Sequence, residues 1–160
     1  MVFWDTSALV KAYSPEAGSS TVLSVIGALP YRTSVSAFVA LETLSVFAKL
    51  LRTNTFSASE YQTARTQFYG DYPRRFVNIP VKRQIRLHAL TLAETHRMAG
   101  IGALDVLHLA CALYVRAATH PKPAVLAVVD GPLRRIATQE GLRTFNPETQ
   151  SVSDLLSALR

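Results

Sequence analysis

Four acidic side chains stand where carboxylates are costly. Asp5 follows the apolar run Val2-Phe3-Trp4, and Asp130 follows the apolar run Ala124–Val129. Glu42 interrupts the apolar stretch Ala37–Leu51, and Asp105 opens the apolar segment Leu104–Ala118. An isolated ionised carboxylate in such surroundings shifts its pKa or finds a cation. No Lys or Arg stands beside these four in the sequence, so the expected cation is a metal. Oxygen donors without a Cys or His pattern favour Mg²⁺ or Mn²⁺. Each acid also has a plainer reading. Asp5 and Asp105 could cap the helices that follow them, Glu42 could face solvent, and Asp130 could start a turn with Gly131. All four being incidental is a poorer account, because two terminate strands and two interrupt apolar helices.

The elements that must position these acids follow from the pattern of residues. Val2–Trp4 reads as a strand. Ser7–Tyr13 reads as a short helix ended by Ser14-Pro15, and Ser19–Leu29 as a second helix ended by Pro30. Tyr31–Thr33 suggests a short strand, and Ser36 can cap a long helix reaching about Arg52. Ser57-Ala58-Ser59-Glu60 has the form of a capping box opening a helix to about Tyr72. Phe76–Val81 alternates like a strand, with Pro80 placing it at an end or an edge. Gln84–Arg97 and Leu104–Ala118 read as helices, the second apolar almost all round and therefore buried on most sides. Ala124–Val129 suits a strand covered on both faces. Pro132–Glu140 is a helix ended by Gly141, Leu142–Phe145 a last strand, and Val152–Leu159 a terminal helix. Strands alternating with helices imply an α/β fold with a central parallel sheet flanked by helices. In such a sheet, ligand crevices lie at the carboxyl ends of the strands, where Asp5 and Asp130 fall.

No repeat, low-complexity tract or linker interrupts the 160 residues, so residues 1–160 form one expected domain. Apolar residues at 49% against charged ones at 18% exclude a disordered chain. A single cysteine excludes a disulfide framework and a Cys-rich zinc site. No apolar run is long enough for a membrane span, and no basic stretch precedes an apolar core at the N-terminus. No membrane partner is expected, and the cytoplasm is the default location. The net charge is +6, and the balance outside the four acids is +10. An acidic pit on a basic surface suits RNA. Seven of the basic residues fall between Arg65 and Arg97, among them Arg74, Arg75, Lys82 and Arg83 around Phe76–Val81. A solvated face is the bland reading of that run.

The motifs resemble the PIN-domain family (PilT N-terminus), and most closely the toxin half of VapBC-type toxin–antitoxin pairs. Phe3-Trp4-Asp5-Thr6-Ser7-Ala8-Leu9-Val10-Lys11 is similar to the family's opening. Val39-Ala40-Leu41-Glu42 resembles its second acidic position, and Leu104-Asp105-Val106-Leu107-His108-Leu109-Ala110 its most specific motif. Val128-Val129-Asp130, with Leu133, Ala137, Gly141 and Leu142, resembles its closing strand–acid–helix unit. The resemblance runs from about Val2 to Pro147. It implies an α/β/α sandwich and a Mg²⁺-dependent endoribonuclease toxin of a type II pair. Asp5, Glu42, Asp105 and Asp130 would hold one or two ions, with Ser7 hydrogen-bonded within the cluster and Thr6 supporting it. Hydrolysis would be in line, leaving a 5′-phosphate and a 3′-hydroxyl. One departure is visible: the family often has Ser or Thr two residues before the last acid, where Val128 stands. Ser7 or a water is expected to compensate. The resemblance also implies a homodimer and a small cognate antitoxin. That inhibitor is expected to be a short, initially disordered peptide lying against Ser36–Tyr72, with an Arg or Lys near the acids.

Other residues admit plainer roles. His108, three residues after Asp105, lies within reach of the site, though a buried structural histidine is the preferred reading. Cys111 and Trp4 read as core. Tyr61, Phe68, Tyr69 and Tyr72 form either a core stripe or one wall of a groove for a partner peptide. An aspartyl phosphatase using Asp5 lacks the second Asp that Ser7 replaces. A non-catalytic, regulatory RNA-binding domain is the alternative from another class, and retention of all four acids argues against it.

Overall fold

The computed structural model describes residues 1–29 and 32–160. Its centre is a five-stranded, wholly parallel sheet. The strands are β1 (Val2–Trp4), β2 (Thr33–Ser36), β3 (Val77–Ile79), β4 (Val125–Ala127) and β5 (Arg143–Phe145), in the spatial order β3-β2-β1-β4-β5. The order reverses at β1, so β1, the central strand, and its neighbour β4 frame the switch point between their carboxyl ends.

Alternation along the strands feeds two cores, one on each face. Val2, Trp4, Val35, Val125 and Ala127 point to one, and Phe3, Leu126 and Val128 to the other. The first core is closed by α1 (Thr6–Leu9), α2 (Ser19–Ala28), α3 (Val39–Arg52), α4 (Ala58–Arg75) and α8 (Val152–Ala158). The second is closed by α5 (Arg83–Thr95), α6 (Ala103–Thr119) and α7 (Gly131–Gln139). This is the α/β/α sandwich expected. Tyr13, Phe47 and Phe68 lock the first core through edge-to-face pairs with ring centroids 5.5 to 6.2 Å apart. In the second, α6 buries Val106 and everything from His108 to Leu113, Cys111 and its neighbours included.

Four elements depart from expectation. The strand expected at Tyr31–Thr33 begins outside the described residues, as does Pro30, the expected end of α2; β2 itself runs from Thr33 to Ser36. Ser36 therefore ends a strand rather than capping α3, which starts at Val39 with Phe38 in the cap position. Three of the four β2 residues are hydroxylic, which hides a fully buried strand from a reading by hydropathy. Their hydroxyls are satisfied locally: Thr33 Oγ1 donates to the Arg75 carbonyl, Ser34 Oγ to the Val2 carbonyl, and Ser36 Oγ accepts from Phe38 N–H. The helix expected at Ser7–Tyr13 is one α-turn continued by a 3₁₀ turn over Val10–Ala12. Helix α4 runs through Pro73 to Arg75, beyond Tyr72. β3 is an edge strand, as Pro80 indicated.

The segment after β5 is fastened to the start of the chain. Buried Lys11 pairs with Glu16 at 2.9 Å and Glu148 at 2.7 Å. Gly18, at φ +85°, brings the backbone so close that a Cβ would sit 2.9 Å from the Pro147 carbonyl oxygen. Gly18→Ala should therefore cost about 1–3 kcal/mol in denaturant unfolding, from strain and clash together; an unchanged midpoint would contradict this packing.

Candidate functional site

Each acid is placed by the end of a secondary element. Asp5 emerges from β1 and caps α1, accepting from Ser7 N–H at 2.9 Å and from Ser7 Oγ at 2.5 Å. The same Ser7 Oγ accepts from Val129 N–H at 3.1 Å. One hydroxyl thus ties Asp5 to the end of β4, where Val128 supplies none. Asp130 caps α7 through Leu133 N–H at 2.7 Å. Asp105, three residues after Gly102, reaches back to the Gly102 N–H at 2.8 Å. Glu42 lies in the first turn of α3 and accepts from Thr6 Oγ1 at 2.6 Å. The helix-capping and turn readings hold for Asp5, Asp105 and Asp130, while Glu42 is held rather than solvated. Capping leaves each of these acids a face on a common cavity of about 590 Å³, lined also by Thr6, Ser7, Val10, Leu41, Val46, Lys49 and Leu104.

His108 organises the deepest part of the site. Its Nδ1 lies 2.9 Å from Asp5 Oδ1 and its Nε2 3.0 Å from Glu42 Oε2, with Asp5 3% and His108 1% exposed. The second contact has ion-pair distance without hydrogen-bond alignment. Burial opposes an imidazolium, but the hydrogen bond to Asp5 and the close approach of the Asp5 and Glu42 charges outweigh it and raise the His108 pKa to about 9. Burial would raise the Asp5 carboxyl; the His108 and Ser7 contacts reverse this and hold it below the usual range. The Asp105 carboxyl is pushed up, first by burial and then by the charges of Asp5, Asp130 and Glu42, against the Gly102 hydrogen bond. A site of like charges must hold protons, and here the buried one sits on an imidazole.

Among the described residues, no three Asp, Glu, His or Cys side chains converge closely enough to enclose a metal as they stand. The donor chemistry nevertheless fits a hard divalent cation. Four carboxylates against one imidazolium leave uncompensated negative charge, which adds to burial in pushing the Asp105 carboxyl up. Asp105 uses only Oδ2 and Asp130 only Oδ1 in capping, so each keeps an oxygen free.

A family model described as "PIN domain" matches residues 2–137, most of the chain. The chain belongs to the PIN domain family. Solved structures share its fold at low identity. FitAcB from Neisseria gonorrhoeae aligns with a TM-score of 0.67 and 16% identity, over 94% of this chain and 100% of that one. A toxin–antitoxin complex from Klebsiella pneumoniae gives 0.59 and 16%, over 95% and 100%. VapBC2 from Rickettsia felis, bound to a DNA fragment from their promoter, gives 0.63 and 17%, over 91% and 98%. No curated protein matches. PIN domains are generally nucleases and usually use divalent metal ions. No helix among the described residues is long and apolar enough to cross a membrane.

The PIN motifs therefore bring Asp5, Thr6, Ser7, Glu42, Asp105 and Asp130 to one cavity, and add a residue read mainly as core. The signal for His108 was its spacing: at i+3 from Asp105 on a buried helix, it must be satisfied by whatever that face meets.

Two outcomes follow for stability without metal. Asp105→Asn should hold or raise the melting temperature, because it relieves repulsion. Asp5→Asn should cost about 3 kcal/mol, the scale of breaking a buried ion pair. Parallel shifts in the two variants would contradict the charge balance described. The His108 pKa also lies above the unfolded value, so its stabilisation is complete below about pH 6.5 and is lost as pH rises through about 9. The metal-free melting temperature should fall over that window, and His108→Gln should flatten the fall.

Proposed function

We propose that this PIN domain is a Mg²⁺-dependent endoribonuclease, with Mn²⁺ able to substitute, and that it is the cytoplasmic toxin of a type II toxin–antitoxin pair. The observation that carries the reading is the cavity at the switch point, where four carboxylates and a hydrophobic wall line one space and the His108 ring bridges only two of the four, Asp5 and Glu42. Asp5, Glu42, Asp105 and Asp130 would hold the ion, with Ser7 and Thr6 fixing Asp5 and Glu42. A divalent ion bound there supplies Lewis acidity at a phosphate oxygen and makes a water more acidic. Asp105, whose carboxyl has the raised pKa, is suited to orient the attacking water and take its proton. Lys49 at the cavity, and Lys82, Arg83 and Arg86 beyond the carboxyl end of β3, draw phosphates to that end of the sheet.

The likeness to toxin–antitoxin complexes supports a small antitoxin partner. The apolar cavity wall of Val10, Leu41, Val46 and Leu104 offers it a hydrophobic seat, with Leu41 63% exposed. An antitoxin Arg or Lys placed at the carboxylates would compete with the metal, so each should weaken the other's binding. Exposed Leu87 and Leu90 on α5 offer an apolar stripe for a homodimer contact.

Purified protein should cleave single-stranded RNA with Mg²⁺ or Mn²⁺ and stop with chelator. Asp105→Asn should lower the rate by at least about 100-fold. Asp130→Asn should cost less, because asparagine keeps the α7 cap; equal losses would place Asp130 on the same footing as Asp105. RNA binding without cleavage under either metal would favour the non-catalytic, regulatory reading instead.

A further inference from the structure

A separate group of cations lies at the end of the sheet opposite the acids. All strands are parallel, so the residues preceding them gather along one edge. In spatial order, Arg74 and Arg75 precede β3, Arg32 precedes β2, the Met1 amino group precedes β1, Lys122 precedes β4, and Arg143 opens β5. Five strands at roughly 4.8 Å spacing spread this line over about 19 Å. The outer members are partly engaged: Arg75 pairs with Asp71 and Arg143 donates to the Ala158 carbonyl. The middle is not. There Arg32, His120, Lys122 and Arg160 line an open cavity of about 730 Å³. The Arg32, Lys122 and Arg160 side chains make no hydrogen bond or ion pair among the described residues, and no Asp or Glu lines the cavity, so these three cations with the Met1 amino group outnumber the one anionic group of the lining, the Arg160 α-carboxylate. The neighbouring Pro30 and Tyr31, outside the described residues, carry no charge by type. The charges also converge: the Met1 amino group is held below its usual pKa by burial and then by Arg32 and Lys122.

Unpaired cations held together in a concave surface repel one another, and an anion relieves that repulsion. Two features say which anion. Met1, Pro121, Pro123 and Leu159 line the cavity beside the cations, apolar surface that the bases of a strand can cover and a small inorganic anion cannot. Flexible, donor-only side chains on an open surface suit the repeated phosphates of a nucleic-acid backbone, read without regard to base. We propose that the cavity framed by Arg32, His120, Lys122 and Arg160 is a second nucleic-acid site, which grips the backbone phosphates of a single strand at the end of the sheet opposite the acidic centre. The proposal does not rest on the cleavage reading, because the site shares no residue with that centre and needs no metal.

The test is binding of a fluorescent 12-nucleotide single-stranded oligodeoxynucleotide in chelator, read by anisotropy across a salt series. The probe cannot be cleaved by a ribonuclease, so failure here and failure of the cleavage reading stay distinct. Arg32→Ala/Lys122→Ala changes two exposed side chains without partners, so folding is retained, as a melting curve will verify. Affinity at low salt should fall about tenfold, and the slope of log K against log salt should shrink by about 1.4, or roughly 0.7 per lost phosphate contact. The control Arg52→Ala/Arg97→Ala removes the same net charge elsewhere and should leave the slope near that of the unaltered protein. Equal losses in the two double variants, or none in the first, overturn the proposal. So does equal competition by poly-glutamate or by inorganic phosphate at matched charge, which would assign the cavity to an acidic peptide or a small anion.

Discussion

The buried contact between Asp5 and His108 is the constraint on which the molecule turns. A carboxylate 3% exposed and an imidazole 1% exposed could not be placed there separately, since each charge alone would be expelled by its desolvation. Together they join the end of β1 to the middle of α6, and Glu42 on the far side of the imidazole brings in α3. Three elements from both layers of helices and the sheet meet at this one cation. The position of the cavity follows: it is the space left above the pair, at the point where the strand order reverses.

The other acids belong to the same economy of roles. Asp5, Asp105 and Asp130 each satisfy backbone N–H groups at a helix start, and each still faces the cavity. Capping and site formation are compatible because a carboxylate has two oxygens, and the helix N-terminus that needs an acceptor also tolerates the charge. Asp105 carries the residual strain: nothing positive touches it, and three carboxylates act on it. A divalent cation would relieve that strain, which makes metal binding and stability linked quantities in this fold.

Much of this was legible in the residues. Apolar runs that stop at an acid marked β1 and β4, and alternation with helices announced the parallel sheet. The residue pattern sets β2 two residues early at its start and three at its end, because Thr33, Ser34 and Ser36 look solvent-facing until their acceptors on Arg75 and Val2 and the donor on Phe38 are known. The role of Ser7 was anticipated as a hydroxyl inside the acidic cluster. Its second bond, to Val129 N–H, depends on the approach of β4 to α1, which no local pattern encodes. His108 shows the same limit: its helix and face could be read from spacing, but the partner across a gap of 103 residues could not.

The charge balance of the site is tested most directly by the protonation state of His108 in metal-free protein, read from its ring nitrogens by NMR between pH 6 and 10. Both nitrogens should carry protons at pH 7.5, and the ring should become neutral only near pH 9. A neutral ring at pH 7.5 would mean that Asp5 and Glu42 are not bridged by a cation, and the charge balance that defines the site would be wrong.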